Sequence, residues 1–229
     1  MNRRVWVEVN LKTLVANYRK IAAKAKPAKV LCVLKANAYG LGVGAYAKAL
    51  AGAGCKAFGV AEPFEALELL KVFSSSPFPV PHSPFPSVQI LSSILPDEIA
   101  PMVKAGVILP ITDLATAKLI SAAAVKAKVT AKVHFKLDTG MGRLGIIADC
   151  EERIPATIEL MREVKALPNL DCEGVFSHFP MAYDPSDPFT KKQIALFKKV
   201  VAAAKKAGIG FKKIHIAASD AINIFPECA

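Results

Sequence analysis

The sequence predicts an α/β fold of the (β/α)₈ TIM-type barrel class, incomplete and with about seven strand–helix units. Two observations support this prediction. Short apolar runs alternate along the chain with segments in which apolar residues recur at the 3.6-residue period of a helix. Because parallel strands joined by helices need right-handed crossovers, many such units in one chain favour a barrel, for which about 250 residues is typical. An eighth strand is not visible in the sequence.

The first predicted elements are a short strand at 6–9 and a helix that begins after Asn10, a suitable N-cap. The helix is predicted from apolar residues at helical spacing, namely Leu11, Leu14, Val15, Tyr18 and Ile21. The repeating units start with the apolar run at 30–35. This run is apolar on both faces, so we interpret it as a buried parallel strand.

Turn and cap residues set the borders of the later elements. Gly54 closes one helix, Pro63 lies in the first turn of the next, and Asp113 caps another. Asp187 followed by Pro188 is an N-cap with proline at the first helical position. The remaining strands are predicted at 57–60, 88–91, 107–111, 129–137, 170–176 and 213–216, and the helices at 42–53, 63–71, 96–105, 114–126, 155–166 and 188–207.

A proline-rich segment at 72–87 interrupts this alternation. Its closely spaced prolines exclude a helix or a central strand and favour an extended loop. Such a loop can serve as a docking peptide for a proline-recognising partner, but we favour a surface insertion. Because it connects a helix to the next strand, we expect it on the barrel face opposite the chemistry, so that its deletion leaves the site intact.

The formal net charge of +11 raises the question of a nucleic-acid partner. Much of this charge lies in lysine doublets along the helix at 188–207, whose apolar residues form a separate buried stripe. We therefore interpret the lysines as a solvated helix face. Aromatic residues do not alternate with them, as single-strand binding would require. We therefore predict no nucleic-acid partner.

Composition and cysteine usage indicate a cytoplasmic globular protein. Hydrophobic residues make up 53% of the chain and charged residues 21%. Two arginines near the N-terminus are not followed by an apolar signal segment, and no run of 18 apolar residues could span a bilayer. The five cysteines are odd in number and form no C-x-x-C pair, which favours reduced thiols. We expect a cytoplasmic protein with no membrane partner.

Lys35 ends the apolar run at 30–35 and precedes a glycine-containing turn. The carboxyl ends of parallel strands carry the chemistry of barrel folds, so we expect Lys35 to project into a pocket. Desolvation there would lower its pKa from about 10.4 and make the neutral amine available for Schiff-base chemistry. The alternative is a lysine that extends from a strand end to solvent.

The segment Lys-Ala-Asn-Ala-Tyr-Gly-Leu-Gly, from Lys35 to Gly42, resembles the pyridoxal-phosphate lysine motif of alanine racemases. In that family the lysine holds the cofactor as an internal aldimine. The resemblance implies that Lys35 carries pyridoxal 5′-phosphate and that Tyr39 hydrogen-bonds the cofactor phosphate.

A second motif takes the strand at 129–137 into a glycine-rich turn, in which an arginine could grip a carboxylate or phenolate. The segment Lys-Leu-Asp-Thr-Gly-Met-Gly-Arg-Leu-Gly, beginning at Lys136, resembles the corresponding racemase segment. This resemblance implies that Arg143 contacts the substrate carboxylate and the phenolic oxygen of the cofactor. It also implies that Lys136 is carbamylated, which would replace a like charge near Arg143 with an anion that holds it.

Two histidines end later strands. His178 could be a metal ligand, a base or a ring-stacking partner, although a single histidine is more often a core residue. No companion ligand stands at metal-like spacing, so no metal is expected. By resemblance to the family, His178 packs against the pyridine ring. The segment His-Ile-Ala-Ala-Ser, from His215 to Ser219, resembles the racemase His-x-Ala-Asn-Ser segment. This resemblance implies that His215 supports the arginine beneath the pyridine nitrogen and that Ser219 binds the phosphate. Ala218 stands where the family has asparagine.

The resemblance covers 1–229 as one cofactor-binding barrel and implies interconversion of L-alanine and D-alanine by two-base proton exchange, supplying D-alanine for peptidoglycan. It implies an alanine substrate and a homodimer. The family's second base is a tyrosine of a C-terminal β domain of the partner subunit. That domain is not in this sequence, so we expect this chain alone to be inactive. The alternative is a non-catalytic, single-domain pyridoxal-phosphate carrier.

Overall fold

The computed structural model describes residues 4–75 and 86–228. The chain divides into two compact units, Met1–Gln89 and Ile90–Ala229, and each is described by itself. No helix in the described parts of the chain is long and apolar enough to cross a membrane.

The first unit contains a parallel β-sheet with helices between its strands. In chain order its elements are α1 (Leu11–Lys24), β1 (Cys32–Val33), α2 (Lys35–Tyr39), α3 (Val43–Gly52), β2 (Ala57–Val60), α4 (Pro63–Ser74) and β3, which begins at Ser87 and ends at Ile90. The strand order is β1-β2-β3. Strands β1 and β2 run parallel, with Cys32 opposite Phe58.

Local sequence signals explain where the helices of this unit begin. The Asn10 side chain accepts a hydrogen bond from Thr13 N (3.1 Å), so it caps α1 as predicted. Pro63 occupies the first turn of α4, where its missing N–H costs nothing. Phe58 of β2 and Phe73 of α4 are buried with their ring centroids 5.1 Å apart. Burial of each such side chain stabilises the fold by about 1.5–3 kcal/mol.

The second unit continues the alternation of strands and helices. Its elements are α5 (Pro96–Ala105), β4 (Leu109–Ile111), α6 (Leu114–Ala127), β5 (Ala131–Asp138), β6 (Ile146–Ile147), α7 (Ile154–Lys165), β7 (Leu170–Phe176), α8 (Pro188–Lys206), β8 (Lys213–His215) and α9 (Ser219–Ile224), with single 3₁₀ turns at Glu151–Arg153 and Pro226–Cys228. The strand order is β4-β5-β7-β8, and β6 pairs with β5. All these pairs are parallel, so the carboxyl ends of β5, β7 and β8 lie at one edge.

Helix α8 confirms the interpretation of the lysine doublets. Asp187 caps it by accepting a hydrogen bond from Phe189 N (2.7 Å). Its buried stripe includes Ile194, Phe197 and Val200, whereas the lysine doublets are exposed. The solvated face therefore follows from ordinary helix amphipathicity.

Several sequence-based expectations were wrong. Residues 6–9 form no strand, and the side chains of Trp6 and Val7 are exposed. The strand expected at 30–35 contains only Cys32–Val33, because the backbone turns before Lys35. Strand β6 and helix α9 were missed, since each is too short to show a periodic pattern. Residues 76–85 lie outside the described part of the chain, so the placement of the proline-rich segment remains a prediction.

Candidate functional site

Lys35 lies directly beyond β1 at the start of an unusual turn. The four residues after it have φ between 52° and 57°, which is the left-handed region that L-residues with side chains rarely adopt. Each such residue costs about 1–2 kcal/mol relative to a right-handed turn. A run of this kind persists only where surrounding contacts fix it, and such strain occurs often at functional sites.

Two side chains of the first unit hold this turn. Asn37 accepts a hydrogen bond through its side-chain oxygen from Val43 N (2.8 Å), which ties the turn to the start of α3. Glu65 of α4 is 7% exposed and accepts three backbone hydrogen bonds. One of the three comes from Ala36 N, at 2.5 Å. The residue that follows Lys35 is therefore bonded to a buried carboxylate.

Lys35 and Tyr39 differ in how far they are shielded. Lys35 is half-buried, which leaves its amine partly shielded and still reachable from solvent. Tyr39 ends the turn and is 62% exposed, so its hydroxyl is available to an external acceptor. The first unit thus presents an amine and a phenol one turn apart.

The glycine-rich turn of the second unit is organised by Asp138. Its Oδ1 accepts hydrogen bonds from Gly140 N and Gly142 N (3.0 Å each), and Oδ2 accepts one from Arg143 N (2.8 Å). Burial alone would raise the pKa of Asp138, but these backbone donors outweigh it and hold the pKa below its usual value. The carboxylate therefore fixes the backbone of Arg143, while the side chain of Arg143 is exposed.

Gly145 brings this turn against the end of β5. A Cβ atom at Gly145 would lie 2.8 Å from Lys136 O and 2.9 Å from Asp138 N, and the φ of Gly145 is +131°. Only glycine fits this approach without strain. The motif therefore needs its last glycine for packing as well as for conformation.

Lys136 is buried on β5, at 4% exposure. Its Nζ donates a hydrogen bond to Leu91 O (2.7 Å) and lies 4.7 Å from the ring centroid of Phe176. His215 stacks on the Phe176 ring at 5.0 Å with an interplanar angle of 11°, and the His134 ring lies 6.5 Å from it. Burial, together with the nearby cationic and imidazole groups, lowers the pKa of His215 to about 3, so this ring is neutral at pH 7.

A buried polar network lies beside this stack. His134 is 0% exposed, and its Nε2 lies 3.4 Å from Glu173 Oε1, which also accepts a hydrogen bond from Lys213 Nζ (2.6 Å). Burial lowers the pKa of His134 to about 4 even though Glu173 opposes the shift. Gly174 permits the arrangement, because a Cβ atom there would lie 2.6 Å from the His134 ring.

His178 follows β7 and is half-buried. Its backbone oxygen accepts a hydrogen bond from Gln193 Nε2 (3.4 Å), and the same amide reaches Thr139 Oγ1 (3.4 Å). Thr139 in turn shares a hydrogen bond with Ser177 (2.8 Å). Gln193 of α8 thereby connects the loop after β5 with the loop after β7.

Ser219 is the first residue of α9 and is exposed. Ala218 occupies the N-cap position with an extended backbone (φ −95°, ψ 174°) and supplies no side-chain hydrogen bond to the helix. Asparagine is among the preferred residues at such a position. Alanine at this position therefore leaves α9 without a side-chain cap beside Ser219.

The predicted residues fall into two groups, one in each unit. Four of them, Arg143, His178, His215 and Ser219, stand at or just beyond the carboxyl ends of the neighbouring strands β5, β7 and β8. Lys35 and Tyr39 stand just beyond β1. These six residues thus lie at or just beyond the carboxyl ends of strands, which is where parallel α/β folds place ligands, whereas Lys136 lies within β5.

Sequence reasoning missed the supporting residues. Glu65 had a readable signal, since glutamate two residues after Pro63 suits the third position of a helix. Gln193 also had one, because it is a polar residue within the apolar stripe of α8. Nothing in the sequence pattern indicated that His134 and Glu173 lie together.

Two surface depressions lie away from these residues. One, of about 400 Å³, is lined by Cys150, by two residues of the 3₁₀ turn that follows it and by four residues of α8, including Lys199. The other, of about 350 Å³, is lined by residues of α1 and by Ala49. Neither lining contains any of the predicted site residues.

Comparison with known proteins gives a consistent result. Residues 9–229 match the family model described as the N-terminal domain of alanine racemase. Alanine racemase of Clostridium tetani is 34% identical over 225 residues, which is 98% of this chain and 54% of that protein. Alanine racemase of Carboxydothermus hydrogenoformans is also 34% identical, over 98% of this chain and 56% of its own length. The chain spans about half the length of these relatives.

Solved structures agree with the sequence matches. Alanine racemase from Streptomyces lavendulae superimposes with a TM-score of 0.84 at 28% identity, covering 100% of this chain and 56% of that one. Alanine racemase from Bartonella henselae, solved with covalently bound pyridoxal phosphate, has a TM-score of 0.79 at 26% identity, covering 96% of this chain and 58% of that one. With the parallel strands and alternating helices described above, these likenesses confirm the predicted TIM-barrel-type α/β fold.

Proposed function

The chain belongs to the alanine racemase family through its N-terminal domain, and from that premise we propose that it binds pyridoxal 5′-phosphate on Lys35 and serves the racemisation of alanine. The observation that carries the proposal is the turn after β1. It holds a half-buried lysine at a strand end by means of a strained backbone and a buried carboxylate. A lysine that merely extends to solvent would need neither.

The residues present fit this cofactor chemically. Pyridoxal phosphate, when bound, supplies an aldehyde that condenses with amines and a ring that withdraws electrons from the bond to be broken. Lys35 offers the amine, and Tyr39 and Ser219 offer exposed hydroxyl donors suited to a phosphate. The donor set therefore contains a nucleophile and hydrogen-bond donors for an anion.

Each residue has a definite task in the proposed reaction. Lys35 would hold or release a proton at its Nζ, acting as the base on one face of the substrate Cα. Arg143 would bind the substrate carboxylate through two parallel hydrogen bonds, an orientation helped by the backbone bond from its N–H to Asp138. His178 would pack flat against the cofactor ring, and His215 would support the residue beneath the ring nitrogen.

The neutral state of His215 suits a supporting role. Because burial and nearby cations lower its pKa to about 3, His215 carries no charge at pH 7 and can accept a hydrogen bond from a cation.

Carbamylation of Lys136 is part of the proposal. In the unmodified state its amine already bonds Leu91 O, and the carbamate would instead present an anion toward Arg143. Mass measurement of the intact chain tests this, since a carbamate adds a fixed mass that acid removes.

We further propose that the complete protein is a cytoplasmic homodimer and that its product, D-alanine, is used in peptidoglycan. The support is family membership, together with relatives that are themselves alanine racemases. A neighbouring structure, alanine racemase of Clostridium difficile, is a complex with cycloserine, an observation on that protein that is consistent with recognition of a small amino acid.

The second candidate function is a non-catalytic pyridoxal-phosphate carrier. The exposed Arg143, whose backbone N–H donates a hydrogen bond to Asp138, favours the racemase, since a carrier has no need to bind a substrate carboxylate. The discriminating experiment is spectroscopic titration with D-alanine and L-alanine after loading with pyridoxal phosphate. We expect both enantiomers to change the absorbance of the loaded parent protein, and Arg143→Ala to weaken that response. No response to either enantiomer would favour the carrier.

A test of cofactor attachment applies to both candidates. Mixing the chain with pyridoxal phosphate should produce an absorbance band that Lys35→Ala abolishes. Lys29→Ala, a change at an exposed lysine just before β1, is a suitable control and should leave the band unchanged. A band of equal strength in Lys35→Ala would disprove the proposed function.

A further inference from the structure

The buried carboxylate of Glu65 bonds to the backbone directly after Lys35. We propose that Glu65 is a positioning residue that sets the direction of the Lys35 side chain and so controls how fast its amine attacks the cofactor aldehyde. The proposal rests on the proposed function, because it concerns attachment of the same cofactor to the same lysine.

The two oxygens of Glu65 have separate partners. Oε1 accepts the hydrogen bond from Ala36 N (2.5 Å), a residue 29 positions earlier in the chain. Oε2 accepts hydrogen bonds from Ala61 N (2.8 Å) and Glu62 N (3.0 Å), at the beginning of α4. One carboxylate therefore joins the carboxyl end of β1 to the carboxyl end of β2.

Capping of α4 does not account for both oxygens. A glutamate at the third position of a helix normally bonds back to the N–H of the cap residue, and here Oε2 does this. The bond from Oε1 goes to Ala36, which lies outside α4. Its effect is to hold the first of four residues with φ near +55°, immediately beyond the lysine.

The strained turn makes the position of Lys35 sensitive to this bond. Residues 36–39 would relax toward the right-handed region if their contacts were lost, because only glycine adopts the left-handed region freely. Relaxation at Ala36 rotates the peptide that joins it to Lys35, and with it the Cα–Cβ direction of the lysine. Attack on an aldehyde needs the amine in a defined approach, so misplacement slows attachment even where binding is unchanged.

The proposal separates two steps that are measured with different ligands. Pyridoxine phosphate, which has a hydroxymethyl group in place of the aldehyde, reports binding without attachment. Pyridoxal phosphate reports binding followed by attachment, in which Lys35 Nζ bonds the aldehyde carbon and the aldehyde oxygen leaves as water. A residue that merely stabilises the fold would affect both ligands alike or neither.

The central variant is Glu65→Gln, in which one carboxylate oxygen becomes an NH₂ group that cannot accept a hydrogen bond. One of the two sets of partners then loses its acceptor. Glu68→Gln is the matched control, because it removes the same charge from an exposed position of the same helix. Stopped-flow absorbance gives the rate of attachment, and fluorescence titration gives the affinity for pyridoxine phosphate.

We expect Glu65→Gln to slow attachment about tenfold or more, as is usual when a hydrogen bond to a charged group is lost, and to change pyridoxine phosphate affinity less than about threefold. Glu68→Gln should match the parent protein in both. An unchanged attachment rate, or an equal loss in both measurements, would overturn the proposal. If Glu65→Gln does not fold, Glu65→Asp decides, since it keeps the charge but is one methylene too short to reach both partners.

Failure of the proposal can be told apart from failure of the proposed function. If Lys35→Ala attaches pyridoxal phosphate as the parent does, the assignment of Lys35 is wrong whatever Glu65 does. If Lys35→Ala abolishes attachment while Glu65→Gln leaves its rate unchanged, the function stands and the positioning role of Glu65 is refuted.

Discussion

Acidification should lower the free energy of unfolding of this protein, because it protonates the buried His134. The ring is fully buried between Glu173 and the backbone of Gly174, and burial lowers its pKa from 6.5 to about 4. The unfolded chain therefore binds a proton more readily than the folded one between these values. The stabilisation from the neutral ring is complete above pH 6.5 and is lost as the pH falls toward 4.

The magnitude follows from the two pKa values. As the pH falls from 8 to 5, titration of His134 should reduce the free energy of unfolding by about 2 kcal/mol. The complete pKa shift corresponds to about 3 kcal/mol. His215 acts in the same direction, because its pKa is also lowered. The contribution of His134 is isolated by comparison with a variant that does not titrate.

His134→Gln is the suitable variant, since its amide nitrogen can replace Nε2 as a donor to Glu173 and carries no titratable proton. Urea unfolding should be followed by far-ultraviolet circular dichroism at pH 8 and pH 5, because Trp6 is 73% exposed and is a poor fluorescence probe of folding. We expect the parent protein to lose about 2 kcal/mol more than the variant between the two pH values. Equal losses would show that His134 is not buried in its neutral form.

Two further predictions concern the second unit. Asp138→Asn should leave Arg143 N without an acceptor and lower the free energy of unfolding in urea by about 1–3 kcal/mol. The control is Asp149→Asn, which removes an exposed ion pair with Arg153 and should lower it by less than about 1 kcal/mol. Similar losses in the two variants would contradict the role of Asp138. Ala218→Asn should give α9 a side-chain cap and raise the free energy of unfolding by up to about 1 kcal/mol. A decrease would show that the cap position is wrongly assigned.

Much of the fold could be predicted because local signals coincide with the elements. Strands β2 and β7 and helix α5 begin and end where the sequence indicates, since each is bounded by a glycine, a proline or a clear change of period. The strand expected at 6–9 failed for a physical reason. Alternation along a single segment shows that it could pair, but a strand forms only where a partner supplies the hydrogen bonds.

The site shows the same limit of local information. Lys35 and Arg143 could be proposed from the sequence because they lie in long motifs. The left-handed turn after Lys35 could not, because alanine and tyrosine rarely adopt positive φ and a single asparagine does not predict four such residues in a row. Glu65 of α4 bonds to the first residue of that turn, and contacts between distant elements depend on the tertiary structure. The buried pair of His134 and Glu173 was missed for the same reason.

The most direct test of the account is to locate the attached cofactor. The chain is loaded with pyridoxal phosphate, reduced with borohydride to fix the linkage, digested, and analysed by peptide mass mapping. We predict about one pyridoxyl group per chain, on Lys35, with exposed lysines of α8 such as Lys191 unlabelled at stoichiometric cofactor. Labelling spread over the exposed lysines, or confined to Lys136, would contradict the claim that the turn after β1 is built to present a reactive amine.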